Sequence, residues 1–239
     1  MHRFGACCLT AVRETVGRYG YLASGVGDWL ALGEGALDAT HIVWHHDASA
    51  QGFSPGMAAY IQRQVRDGKP GANVWVGLDG GWRFLAVGVT YHAGKVLPGK
   101  PGNSRSVGIE TDHTTGEVIG LDLLLSLRAG TAALLEHWER DAEAVEFHKT
   151  ICAPVGRKTD PDGLDLAVER AAVAELIGDD MTPEQAKQLA ETRLVVAGLQ
   201  QDMAKILNAL AGYATKDGKR DPKDLSLIGE IAEKHGIDR

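Results

Sequence analysis

Two adjacent histidines, His45 and His46, end the apolar run that starts at His41, and a third, His148, opens a segment that closes on Asp160 and Pro161. Imidazole nitrogen and carboxylate oxygen both suit zinc, which takes four ligands and, in a catalytic site, keeps one position open for water. Residues 148–161 also hold Cys152, Arg157 and Lys158. Rigid Pro154 and permissive Gly156 let such a loop fold back, so that its two ends meet one ion. Two histidines and one carboxylate from separate segments would then make a three-ligand site. Taken singly, each of these residues reads more simply as a packed or solvated side chain, and the case rests on their combination.

These residues need a scaffold, and the pattern around them supplies one. Residues 41–45 are rich in β-branched and aromatic side chains and end in a polar cluster, which predicts a buried strand carrying His45 and His46 at its C-terminal end. Ser54-Pro55 is a helix start, and Met57, Tyr60, Ile61 and Val65 recur at helical spacing up to Asp67-Gly68. Strands are predicted at 73–78 and 82–89, joined through the hairpin signal Asp79-Gly80-Gly81, and a further strand at 106–111 follows a Gly/Pro-rich loop. Helices are predicted at 121–140 and 164–177. The fold class is therefore α/β: a mixed central β-sheet flanked by helices, followed by a small all-helical C-terminal segment.

The composition is that of an ordinary folded protein, with 44% hydrophobic and 24% charged residues, which argues against disorder and against membrane spans. A formal net charge of −7 argues against non-specific binding to nucleic acid, which needs clustered Lys and Arg. Cys7, Cys8 and Cys152 are too few and too poorly spaced for a disulfide framework, which points to synthesis in a reducing compartment. Arg3 precedes an apolar stretch at 4–12 that faintly resembles a secretion signal, but Arg13 and Glu14 cut it short and no clear cleavage site follows. Asp47, Asp112, His113 and His137 are read as solvated or locally hydrogen-bonded side chains.

Four blocks, in order, resemble the type-2 N-acetylmuramoyl-L-alanine amidases, a family related to peptidoglycan recognition proteins that includes many phage endolysins. They are Val43-Trp44-His45-His46-Asp47-Ala48-Ser49, Tyr91-His92-Ala93-Gly94, Asn103 with Ser106-Val107-Gly108-Ile109-Glu110, and His148 with Gly156-Arg157-Lys158-Thr159-Asp160-Pro161. The resemblance spans roughly residues 38 to 166. It implies His45, His148 and Asp160 as zinc ligands, Lys158 as a cation for the developing oxyanion, and Glu110 as the group that orients or deprotonates the attacking water. It also implies that His92 and Asn103 line the substrate groove, although a loop-capping role for Asn103 is an equal alternative. Two departures keep options open. Asp47 stands where the family usually has Thr or Ser, and the loop from His148 to Asp160 is two residues longer than the common one, so His46 and Cys152 are rival ligands to His45 and Asp160.

The resemblance implies cleavage between N-acetylmuramic acid and L-alanine, with bacterial peptidoglycan as partner and no stable membrane insertion. An endolysin would wait in the host cytoplasm and then act at the cell wall. The rival reading is a peptidoglycan-binding protein of the same fold without catalysis. A domain boundary is placed near Asp179, giving a catalytic domain at 1–178 and a helical segment at 179–239. In the latter, Leu189, Thr192, Val196, Leu199, Met203, Ile206 and Leu210 form an apolar stripe at spacings of three and four, which suits packing on the core or homo-oligomerisation, while the resemblance to endolysins implies wall binding for this segment.

Overall fold

Alternation of side chains along three neighbouring strands organises the molecule. In the strand His41–His46 (β2), Ile42 and Trp44 point to one face while Val43 and His45 point to the other. The strand Ser106–Thr111 (β5) divides in the same way between Val107 and Ile109 and the pair Gly108 and Glu110, and Val74–Val76 (β3) between its two valines and Trp75. One face is therefore apolar along every strand, and helices cover it.

The computed structural model describes residues 4–48, 56–64 and 69–178, together with residue 188. The chain divides into two units, Met1–Pro183 and Glu184–Arg239, and nearly all the described residues belong to the first. The apolar stripe at 189–210 and the Ser54-Pro55 helix start lie outside the described residues.

Among the described residues, six strands form one mixed sheet. Ala23–Gly25 (β1) pairs in parallel with Trp82–Phe84 (β4), which is antiparallel to β3; from there β5, β2 and Val145–Phe147 (β6) follow in parallel, giving the order β1-β4-β3-β5-β2-β6. The one antiparallel pair is the hairpin expected at residues 79–81. Gly80 takes a φ of 68° there, a conformation that glycine adopts without a Cβ clash. Strands β3 and β4 are shorter than expected because the backbone N–H groups of Leu85 and Ala86 both turn to the Asn73 carbonyl, which takes the chain out of the sheet.

The apolar face packs against Ala6–Arg18 (α1), Leu121–His137 (α3) and Leu166–Ala174 (α5). Cys8, Val12 and Val16 recur every four residues and are fully buried, so the stretch at 4–12 that faintly resembled a signal contributes to a helix docked on the core. From α3, Thr131 accepts the Trp44 indole N–H at 3.1 Å. Arg128 of α3, half-buried, makes a two-pronged ion pair with the buried Glu169 of α5 at 2.6 and 2.7 Å. Asp165 caps α5 by accepting from the Ala167 and Val168 N–H groups. The other face carries the helix Met57–Arg63 (α2), which packs Met57, Ala58 and Ile61 on Trp75 and Leu85, and the one-turn helix His148–Ile151 (α4). Among the described residues no helix is long and apolar enough to cross a membrane.

Candidate active site

The register of the parallel strands puts three functional side chains in a row. Glu110 of β5 lies directly beside His45 of β2, and Trp44 lies beside Phe147, the last residue of β6, so His148 emerges next to His45. All three stand at the carboxyl ends of adjacent parallel strands, where the sheet leaves an open crevice. Asp160 reaches the row because the loop after α4 folds back: the Lys149 N–H donates to the Asp160 carbonyl at 2.8 Å, and the Lys149 ammonium to the Leu164 carbonyl at 2.8 Å.

His45 Nδ1, His148 Nδ1 and Asp160 Oδ2 form a triangle with sides of 3.0, 3.1 and 2.9 Å. All three residues are buried. The hydrogen bonds behind the rings fix which nitrogens carry protons. The Ala93 carbonyl can only accept, so His148 donates to it from Nε2, 3.1 Å away, and keeps a lone pair on Nδ1. The Ser106 carbonyl likewise takes the His92 Nε2–H at 3.2 Å, so His92 Nδ1 is an acceptor and receives the His45 Nε2–H at 3.0 Å. His45 Nδ1 is then also a lone pair. Two nitrogen lone pairs and a carboxylate oxygen converge on one point, an arrangement that repels itself unless a cation sits there. The triangle is close in size to the roughly 3.3 Å spacing of donors about 2.0–2.1 Å from a tetrahedral ion. His45, His148 and Asp160 therefore fit a metal ion.

Electrostatics agree with a site built for a cation. Burial pushes the His45 imidazole down to about 4, against the pull of the Asp160 carboxylate. Burial also drives His92 well below its ordinary value, with the neighbouring His45 adding to the effect, so both rings are neutral donors. Burial pushes the Asp160 carboxyl up, but a proton on either facing Nδ1, or a cation in its place, outweighs it and holds the group well below the usual carboxylate range. Glu110 behaves in the opposite way: burial, then the charges of Asp160 and Asp47, raise it well above the ordinary value. Its Oε2 is shut away from solvent without a hydrogen-bond partner. Lys158 is exposed at the rim, and its charge opposes the rise at Glu110.

An open cleft of about 850 Å³ runs over this row, lined among others by Tyr60, Tyr91, His92, Glu110, His148 and Lys158. His92 borders it, with both ring nitrogens engaged by His45 and Ser106. Asn103 stands behind the cleft, its side-chain oxygen accepting the His92 and Ala93 N–H groups at 3.1 and 2.8 Å, which is the loop-capping alternative. His46 turns away from the triangle, accepts the Asp162 N–H at 3.3 Å and packs its ring 5.5 Å from that of His113. Cys152 points at the Lys149 and Pro154 carbonyls and does not join the triangle.

Three positioning residues escaped the sequence reading. A Cβ on Gly108 would lie 2.4 Å from His92 Cγ, so only glycine on β5 leaves room for the ring that supports His45. Asn73 uses its whole side chain, donating to the Ala86 and Gly88 carbonyls and accepting from Thr90 Oγ1 and the Gly108 N–H, which fixes the loop leading to His92. Arg157 ties its own loop to the Ala93 and Lys95 carbonyls across the cleft edge. Gly108 and Arg157 stand in motif blocks already noted, where their positioning roles were not read, and the role of Asn73 depends on partners far away in the chain.

The mixed sheet carries at its carboxyl edge a histidine–histidine–aspartate triangle that could hold a metal ion, and comparison with known proteins gives the family. Residues 35–163 match the family described as N-acetylmuramoyl-L-alanine amidase, and the chain belongs to that family. Among solved structures it is similar to a selenomethionine derivative of AmpD, with 23% identity, a TM-score of 0.51, and coverage of 64% of this chain and 97% of that one. It is also similar to the N-acetylmuramoyl-L-alanine amidase LysC from Clostridium intestinale URNW, with 19% identity, a TM-score of 0.48 and coverage of 62% and 95%. The catalytic domain of XlyA gives 18% identity, a TM-score of 0.48 and coverage of 64% and 98%. No curated protein matches the sequence.

Proposed function

We propose that this chain is a zinc-dependent peptidoglycan hydrolase that cuts the amide between N-acetylmuramic acid and the L-alanine of the stem peptide, acting as an endolysin. The observation that carries the zinc reading is the convergence of three lone pairs from His45, His148 and Asp160, each held by a second hydrogen bond or by the folded-back loop. Family membership supplies the bond that is cut. The endolysin role, with waiting in the host cytoplasm and action at the wall, is supported by the resemblance of the four motif blocks. Residues 1–178 would carry catalysis, and residues 179–239 wall binding or self-association.

When bound, zinc supplies Lewis-acid polarisation of the amide carbonyl and shifts the pKa of water from about 16 toward 7. The remaining chemistry falls to side chains. Glu110, whose pKa burial raises above that of an ordinary carboxylate, suits proton transfer: it takes a proton from the attacking water and delivers one to the departing alanine nitrogen. The carbonyl carbon gains the water oxygen, the C–N bond breaks, and the products are a lactyl carboxylate and a free amine. Lys158, at the cleft rim, offers positive charge to the carbonyl oxygen as negative charge develops on it. His92 acts through His45, holding the proton on its Nε2, and is a positioning residue.

The test is mass spectrometry of purified peptidoglycan digested by zinc-loaded protein. Free stem peptides with an N-terminal alanine, and uncut glycan strands bearing free lactyl carboxylates, are expected. A digest in which alanine stays joined to muramic acid would overturn the substrate assignment, and an undigested wall on several peptidoglycan types would favour the binding-only reading.

A further inference from the structure

A second group of donors lies on the opposite side of the sheet, where α1 meets α3. The sulfur atoms of Cys7 and Cys8 and one ring nitrogen of His137 lie within 4.8 Å of one another. The cysteines occupy the first turn of α1, and His137 is the last residue of α3. Cys8 is buried, whereas Cys7 and His137 are exposed, so the group opens to solvent on one side.

Two helix ends of opposite polarity meet at this group. The first turn of α1 contains no acidic residue and has no side-chain cap, so the positive end of its dipole is left to stabilise an anion at Cys7 and Cys8. The C-terminal end of α3 carries the complementary negative potential, which favours a cation beside His137. The Trp138 side chain is 1% exposed and its indole N–H faces the Cys8 sulfur, so it forms the inner wall of this group.

We propose that Cys7, Cys8 and His137 form a second metal site, distinct from the His45–His148–Asp160 centre, that takes a thiophilic divalent cation of the zinc class. Two thiolates and one imidazole are a soft donor set, and three protein ligands leave the solvent side for a water molecule. The ion would link the first turn of α1 to the last turn of α3, and its role is to fasten the N-terminal helix to the core. Cys152 belongs to neither group, since its thiol faces the Lys149 and Pro154 carbonyls.

Cobalt is the probe, because thiolate ligands give Co²⁺ a near-ultraviolet charge-transfer band that imidazole and carboxylate do not. Reduced, chelator-treated full-length protein should take up two Co²⁺ per chain and show the band. His148→Ala should keep the band and lose one equivalent. Cys7→Ser and His137→Ala change exposed residues, so the fold is retained; each should lose one equivalent and most of the band, with hydrolysis of peptidoglycan unchanged. A wild-type protein that binds a single ion without the band, or a His137→Ala protein with unaltered band and stoichiometry, would overturn the proposal.

Discussion

The two faces of the central sheet are made by the same strands, and alternate residues divide the labour between them. On β2 and β5, Ile42, Trp44, Val107 and Ile109 build an apolar face under α1 and α3, while His45, Gly108 and Glu110 build the other. The first face gains stability from area removed from water. The second gives up that gain: it holds a carboxylate oxygen without a partner, a glycine where a larger residue would pack, and three lone pairs aimed at one point. Buried polar groups of this kind cost stability and persist where they do chemistry.

Substitutions should separate the faces cleanly. Trp44→Ala removes the indole packed on Phe147 and bonded to Thr131, and should lower unfolding free energy by about 3–5 kcal/mol in urea titrations while the folded fraction keeps its turnover. Lys158→Ala should do the reverse, reducing kcat by about a hundredfold to a thousandfold with little change in KM or in melting temperature. Gly108→Ala pushes a methyl group into the His92 ring and should lower activity or metal affinity by about 10–100-fold, although Gly108 touches neither ion nor substrate.

Glu110→Gln gives the smallest effect and the sharpest sign. In metal-free protein the folded state holds the Glu110 proton more tightly than the unfolded state, because burial raises its pKa. Wild-type stability attributable to this group is therefore intact below the ordinary carboxylate range and is lost as pH rises through the raised value. Glu110→Gln should be more stable than wild type by about 1 kcal/mol above that window and no more stable below it, as read by thermal unfolding in chelator across pH. Catalysis should fall in the same variant.

The apolar face was the legible one. The β-branched and aromatic run at 41–45, the strand read at 106–111 and the turn at 79–81 place β2, β5 and the hairpin, because strand composition and turn chemistry act locally. The helix at 121–140 is present with its end at His137. Elements with few residues or mixed patterns were missed: β1 and β6 have three residues each, and α1 hides its buried stripe among charged neighbours. At the site, the donors were legible by type and by resemblance, but not the tautomers, since those depend on the Ala93 and Ser106 carbonyls. The resemblance favoured His45 over its rival His46, but the surroundings that hold His46 away from the triangle, the loop at Asp162 and the ring of His113, were not legible.

The central claim is that one ion in the His45–His148–Asp160 triangle drives hydrolysis, and zinc titration tests it most directly. The protein used should carry Cys7→Ser, so that the triangle alone is counted, and release of stem peptides should be followed as zinc is added after chelation. The account predicts that activity rises in proportion to bound zinc, reaches its plateau at one equivalent per chain, and falls by at least about a thousandfold when His148→Ala is added. Full activity in chelator, or in the His148→Ala protein, would contradict it.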